Sequence, residues 1–353
     1  MVNGATSSFW HGKRVFVTGN TGFKGTWLST WLLSLGADVA GLSLDPSVDE
    51  VLWRNAALDE DIPTARQDIR DVDAVAAALA AHRSEIVFHL AAQALVLRSY
   101  REPLHTYGVN VMGTASLLEA VRRTPSVRGT IVITSDKCYD LETSTDARRE
   151  SDPLGGYDPY SSSKACAELV VAAYRRSFEN VEARIASVRA GNVIGGGDYS
   201  ARRLVPDIVR ALRSRESLEI RSPQAIRPWQ HVLEPLSGYL VLAEHLWTDK
   251  SYADAWNFGP DSESERAVGD VLDLIARDIE PALRWRVVSH EQHEATTLRL
   301  NSGKARTALR WRPKLNLLQA LDWTFEWYRR EPEEASRGLI MSNISRYSTT
   351  VVR

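Results

Sequence analysis

The segment that most constrains the chain is Gly19-Asn-Thr-Gly22-Phe-Lys-Gly25, which follows Arg14-Val-Phe-Val-Thr18 and precedes a stretch rich in Leu and Trp. A short β-branched run that ends in glycine reads as a buried strand. Residues 23–35 read as a helix that stops at Gly36. Glycines spaced G-x-x-G-x-x-G between a strand and a helix meet three needs. One permits the tight turn, one lets backbone approach a pyrophosphate, and one lets the helix pack closely on the strand. The helix N-terminus adds unpaired N–H groups and the positive end of a dipole. Strand, turn and helix together point to dinucleotide binding by Gly19, Thr21, Gly22, Phe23, Lys24 and Gly25. An ordinary tight turn is the competing reading.

The alternation continues downstream. Residues 38–44, 85–90, 129–134 and 183–189 read as strands, and residues 72–82, 109–122 and 159–178 read as helices. Asp158 is placed to cap the last of these, with Pro159 at the first helical position. This order predicts an α/β fold: a doubly wound parallel sheet of Rossmann type with right-handed crossovers. After Gly191 the pattern changes, and the chain becomes richer in Arg, Pro and Trp. We therefore expect a sheet domain over 14–191, with returning segments at about 226–262, such as Trp256-Asn-Phe-Gly259. A smaller substrate domain is expected over 192–225 and 263–340.

Composition removes several classes of function. Lys plus Arg is 43 and Asp plus Glu is 45, a net charge of −2 over 353 residues. Such a balance disfavours non-specific nucleic-acid binding, which needs a strong basic excess. No apolar run is long enough to span a bilayer. The first ten residues lack the basic and apolar regions of a secretory signal, so a cytoplasmic location is expected. Cys138 and Cys166 make neither a disulfide framework nor a metal cluster. No metal is expected.

Within the sheet pattern, several residues carry chemistry. Asp45 lies 20 residues past Gly25, where a carboxylate can bond the ribose hydroxyls and repel a 2′-phosphate, favouring NAD; a plain Asp-Pro turn is the alternative. Asp68 and Ile69 could bracket the adenine, or Asp68 could simply cap a helix. Tyr160-Ser-Ser-Ser-Lys164 puts Tyr and Lys on one helical face. There the ammonium is expected to lower the phenol's pKa, making Tyr160 a base for an alcohol under oxidation. Ser135, Asp136 and Lys137 follow the 129–134 strand, Ser135 to bond the reacting oxygen and the other two as ionisable groups; a solvated loop with a local ion pair is the plain alternative. Asn192, Arg203, Arg227 and His231 stand where a second domain would close over the site, and arginines suit a diphosphate; surface salt bridging is the equal alternative for any one of them.

These pieces resemble the extended short-chain dehydrogenase/reductase superfamily and, within it, the CDP-glucose 4,6-dehydratase family. The resemblance runs from about residue 15 to about 327. It rests on the glycine turn, His89-Leu-Ala-Ala-Gln93, Ile133-Thr-Ser-Asp-Lys-Cys-Tyr-Asp140, Gly155-Gly-Tyr-Asp-Pro-Tyr-Ser-Ser-Ser-Lys164, Val188-Arg-Ala-Gly-Asn-Val-Ile-Gly-Gly-Gly-Asp198, Ile226-Arg-Pro-Trp-Gln-His231 and Trp256-Asn-Phe-Gly-Pro260. It implies a bound NAD recycled each turnover, contacted also by Leu90, Ala91, Ala92 and Gln93. It implies CDP-glucose as substrate, with Ser99, Leu204, Pro206 and Glu294 joining the four polar residues above, and a homodimer or homotetramer assembled through helices of the sheet domain. Within that resemblance Asp136 is the acid that protonates the departing C6 hydroxyl, and Lys137 the base at C5. Asn20 stands where the family's turn is expected to carry His, and 47–52 departs from the family pattern. A nucleotide-sugar 4-epimerase, which needs no acid and base for C5 and C6, and a dehydratase acting on another nucleotide sugar remain open.

Overall fold

The computed structural model describes residues 6–46, 51–141, 145–178, 183–289, 296–330 and 336–351. Seven strands form the central sheet: β1 (Arg14–Thr18), β2 (Asp38–Ser43), β3 (Thr64–Arg66), β4 (Ile86–His89), β5 (Gly129–Ile133), β6 (Arg184–Ala190) and β7 (Ala255–Phe258). Their order is β7-β6-β5-β4-β1-β2-β3, and every pairing is parallel. All four residues of β4 and all five of β5 are buried, as a sheet covered on both faces requires. Successive side chains of β1 serve opposite faces: Val15 and Val17 join one core, Phe16 the other. The strand order reverses between β1 and β4, and that crevice is where open α/β sheets bind ligands.

The flanking helices are α1 (Phe23–Ser34), α2 (Val72–His82), α3 (Gly113–Arg122), α4 (Pro159–Ser177), α5 (Leu204–Ser214), α6 (Leu233–Thr248), α7 (Leu317–Arg330) and α8 (Ser336–Thr349). Asp71 caps α2, accepting from the Asp73 and Ala74 amides. Asp158 caps α4, its carboxylate 3.0 Å from the Ser161 amide, with Pro159 opening the helix as expected. The helix expected over 109–122 divides in two. Gly108–Met112 is π-wound, and regular helix begins only at Gly113. A widened turn of this kind often sits at a functional site, and here it carries Asn110.

The smaller lobe is built from short pairings. Leu218–Ile220 runs parallel to Trp285–Val287, and Ile226–Pro228 antiparallel to Glu265–Ala267. Of the expected returning segment, Ala255–Phe258 does join the sheet, as its edge strand. The C-terminal part departs from the expected division. Trp311, Trp327 and Tyr347 belong to the same apolar core as Val15 and Trp27, so α7 and α8 cover the sheet domain. The cause is a buried anchor: the Glu234 carboxylate of α6 accepts the Lys314 and Leu315 amides and the Tyr347 hydroxyl. No helix among the described residues is long and apolar enough to cross a membrane.

The first turn of α1 leaves no room for a side chain at Gly25, where a Cβ would stand 2.1 Å from the Gly19 carbonyl oxygen. At Gly113 a Cβ would meet only the Ile69 side chain, at 2.7 Å. Gly25→Ala should therefore cost about 3 kcal/mol and Gly113→Ala about 1 kcal/mol, because backbone cannot step aside and a methyl can. Denaturant unfolding of the two variants measures the difference.

Candidate active site

The glycine turn forms the floor of the crevice. Gly19 adopts φ +67°, and a Cβ on it would lie 2.6 Å from the Ala91 amide nitrogen. That strand end is itself pinned, since the Leu90 amide donates to the Thr18 carbonyl at 3.0 Å and the Ala91 amide to Thr18 Oγ1 at 3.3 Å. Gly22 starts α1 with no side-chain cap and no acidic residue in the first turn. The helix therefore presents free N–H groups and unopposed positive charge, which fit a pyrophosphate. Thr21 Oγ1 bonds Ser43 Oγ at 2.7 Å. Asn20 ties the turn to β3, donating to Thr64 Oγ1 at 2.8 Å, and its amide occupies the space a Cβ on Gly41 would need.

The other expected cofactor residues are spread along the sheet edge. Asp45 lies beyond β2 with its side chain 89% exposed and 3.8 Å from Arg66 Nε. Asp68 is paired with Arg70 at 2.6 Å, and burial of its neighbour Ile69 comes from packing in the second core. Ala92 is half-buried, and Gln93 is buried, with its side chain donating to Thr106 Oγ1 at 2.9 Å and to the Leu95 carbonyl.

Above the floor lies a cleft of about 1680 Å³ between the carboxyl ends of the strands and the smaller lobe. Phe23, Lys24, Ser135, Asp136, Lys137, Tyr160, Asn192, Arg203, Leu204, Pro206 and Arg227 all line it. Ser135 leaves the end of β5 and organises the turn Asp136–Cys138, accepting the Lys137 amide at 3.2 Å and donating to Asp136 Oδ1 at 3.0 Å. Its hydroxyl also bonds Tyr160. Asp136 is buried, and its Oδ2 has no hydrogen-bond partner among the described residues. Burial pushes its carboxyl up to about 6, against the pull of Lys137, the Ser135 bond, Arg227 and Lys24. Asp136 is thus an acid that holds its proton close to neutrality.

Tyr160 departs from expectation. Burial pushes its phenol up to about 12, and the opposing influences are the Ser135 bond and the Arg203 charge. The Lys164 ammonium instead donates to the Ile133 carbonyl at 3.2 Å, behind the strand end. Its charge acts on Lys24 and His89. Burial brings Lys164 itself down to about 8, with Glu168 one turn further along α4 pulling the other way. Lys24 is lowered to about 7, first by burial and then by Lys164 and Arg203.

Two residues expected at the substrate are not brought to the cleft. Ser99 is fully buried and donates to the Val96 carbonyl at 2.6 Å. His231 is 1% exposed, sits edge-on to Trp27 and Trp323, and is pushed down to about 3 by burial and by Arg346. It is a neutral packing residue, its Nδ1 accepting the Leu233 amide at 3.3 Å. Glu294 lies outside the described residues, as do 47–50 in the stretch that departs from the family pattern. Other residues carry weight that sequence reasoning missed. Asn110 accepts the Gln93 amide at 2.8 Å and donates to Ser163 Oγ at 2.9 Å, joining the end of β4 to the catalytic helix. Glu168 accepts from Ser187 and Arg189, both at 2.8 Å, and from Thr134, so it fixes the strand end that carries Ser135. Neither has a local sequence signature, because each works through a partner more than fifteen residues away.

A phosphate cradle at the reversal of a parallel sheet, facing Tyr and Lys one helical turn apart, defines an extended short-chain dehydrogenase/reductase. The chain belongs to the GDP-mannose 4,6 dehydratase family, whose model matches residues 16–322. It is 46% identical to a CDP-glucose 4,6-dehydratase of Salmonella typhimurium, over 91% of this chain and 92% of that protein. It is 25% identical to a UDP-glucose 4-epimerase of Halalkalibacterium halodurans, over 90% of this chain and 96% of that one. The fold matches a dTDP-glucose 4,6-dehydratase structure from Streptomyces venezuelae with NAD bound, with a TM-score of 0.77 at 24% identity, covering 90% of this chain and 97% of that one.

The raised Asp136 carboxyl has a consequence for stability. A carboxyl whose folded pKa is raised favours folding fully below its ordinary value of 3.8, and that contribution is lost as pH rises through about 6. Above that window the folded state holds a poorly solvated carboxylate. Asp136→Asn should thus stabilise the protein by about 2 kcal/mol at pH ~8, with the gain shrinking towards pH ~4. Melting temperatures of both proteins across this range test it.

Proposed function

We propose that the chain is an NAD-dependent nucleotide-sugar 4,6-dehydratase, a hydro-lyase that converts CDP-glucose to CDP-4-keto-6-deoxyglucose and water. The observation that carries this reading is Asp136, a buried acid at the strand end that lines the large cleft together with Tyr160 and Lys137. A 4-epimerase has no use for such a group, since its chemistry stays at C4. The cytosine of the substrate rests on the relative that is 46% identical.

The cradle of Gly19, Gly22 and Gly25 fits the pyrophosphate of NAD, which supplies the hydride acceptor and donor chemistry. Tyr160, bonded to Ser135, takes the proton of the C4 hydroxyl as C4 becomes a ketone. The ketone acidifies the C5 proton, and Lys137 receives it. Asp136 gives its proton to the C6 hydroxyl, which departs as water. A proton then returns to C5, and C6 ends as a methyl group. Arg203 and Arg227, with Asn192, Leu204 and Pro206 around them, face the part of the cleft suited to a diphosphate. Asp45 reaches the adenosine ribose.

Product analysis with CDP-, dTDP-, UDP- and GDP-glucose side by side tests the function. The 4-keto-6-deoxy product should form with CDP-glucose at the highest kcat/KM. Lys137→Met should stop at a 4-keto sugar that still bears its C6 hydroxyl. A 4-epimer in place of the keto sugar refutes the dehydratase.

The enzyme works as a cytoplasmic homodimer or homotetramer. Support comes from an apolar face on the sheet-domain helices. The segment Pro103–Met112 and α4 leave Leu104 86%, Met112 59% and Leu169 59% exposed. Leu169→Glu should convert the assembly to monomer in sedimentation or light scattering, with the monomer fold preserved.

A further inference from the structure

The loop from Gly195 to Arg203 is held more firmly than a surface loop needs to be. Trp27 Nε1 donates to the Gly196 carbonyl at 3.0 Å, and the Tyr328 hydroxyl donates to the Asp198 carbonyl at 2.6 Å. Gly196 and Gly197 are glycines because nothing larger fits. A Cβ on Gly196 would stand 2.0 Å from the Trp327 ring, and one on Gly197, at φ +80°, 2.4 Å from Leu52. So the backbone at Asp198 is anchored from below by α1 and α7.

The side chain uses that anchorage. Asp198 is 5% exposed. Its Oδ1 accepts the Ser200 amide at 3.0 Å, and its Oδ2 pairs with Arg203 Nη1 at 3.1 Å. Arg203 is the looser partner, 36% exposed, and lines the cleft at the mouth of α5. A long arginine side chain left alone samples many rotamers. A fixed carboxylate at one corner of its guanidinium restricts them, while the remaining N–H groups stay available to an anion. The guanidinium is close enough to Tyr160 and Lys24 for its charge to act on both.

We propose that Asp198 is a positioning residue for the reaction: through its pair with Arg203 it holds the guanidinium at the Tyr160 end of the cleft, so that the substrate diphosphate and the tyrosine meet the same fixed positive charge. This rests on the nucleotide-sugar reading above. It assigns the glycine-rich loop a task in placing the sugar, and it makes α7, through Tyr328, a support of the active site.

A double-mutant cycle tests it, using Asp198→Asn, Arg203→Met and the pair in the NAD-loaded protein. Asp198→Asn should raise the KM for CDP-glucose and the Kd for CDP about tenfold, with a smaller fall in kcat, a change worth about 1.4 kcal/mol. The acidic limb of kcat/KM, which reports the base Tyr160, should move to higher pH, because Tyr160 loses the nearby charge that holds its phenol down. The double variant should bind CDP no more weakly than Arg203→Met alone. Asp198→Glu, which keeps the charge on a longer arm, should give an intermediate KM and serves if the asparagine variant does not fold. Additive losses in the cycle, or a lowered melting temperature with KM and pH profile unchanged, overturn the proposal. CDP binding needs no turnover, so a wild-type protein that binds CDP but yields no 4-keto sugar refutes the dehydratase while leaving the cycle readable.

Discussion

The geometry of the cleft descends from one close approach. Gly19 packs its backbone against the Ala91 amide, and Gly25 packs against the Gly19 carbonyl, at distances no side chain could tolerate. Together these contacts set the first turn of α1 against the carboxyl ends of β1 and β4. That places free helix N–H groups at the point where strand order reverses. The remaining elements are located relative to it. β5 lies next to β4 and delivers Ser135 and Asp136; α4 packs behind and delivers Tyr160; the lobe after β6 closes the far wall.

The electrostatics follow from crowding charges into a poorly solvated space. Lys24, Lys164 and Arg203 converge from three different elements on the same region, where the buried carboxylates Asp136, Glu168 and Asp198 act on Lys24, Lys164 and Arg203 in turn. Burial brings Lys24 to about 7, Lys164 to about 8 and Asp136 to about 6. Groups that are ordinarily far apart in pKa are thereby compressed into a narrow range around neutrality. Asp136 can therefore give up its proton near neutrality, whereas Tyr160, pushed up to about 12, lies outside that range. Behind this region Glu168 and Arg189 form a buried ion pair at 2.8 Å, and that pair stays ionised because each has the other.

Local order was the most legible part of the sequence. The strand over 14–18 and the helix over 72–82 fall where hydrophobic period and capping residues place them. The Asp158-Pro159 start of α4 was equally readable, because a cap is a contact within three residues. The 109–122 helix was misjudged at its start, since a π-wound turn depends on what Asn110 bonds across space. The site was legible where its residues come in short motifs, as at Tyr160 and Lys164 or Ser135 to Lys137. His231 was misassigned because a histidine in a loop looks the same in sequence whether it faces a ligand or the two tryptophans that enclose it. The direction of the Tyr160 shift was likewise hidden. Spacing brings Lys164 onto its face of the helix, but burial and the Ile133 carbonyl decide where the ammonium goes.

The last helix has a consequence for how the protein is made. Tyr347 stacks edge-on against Trp31 of α1, bonds Ser237 and Glu234 of α6, and is 1% exposed. The ribosome releases Trp31 more than three hundred residues before its cover exists. Until Tyr347 leaves the exit tunnel, Trp31 on α1 lacks its aromatic cover, and the Glu234 carboxylate lacks the hydroxyl it was built to meet. A domain generally folds as a unit, and here the unit is not complete until α8 has been synthesised, so the nucleotide cradle rests until then on a half-finished core.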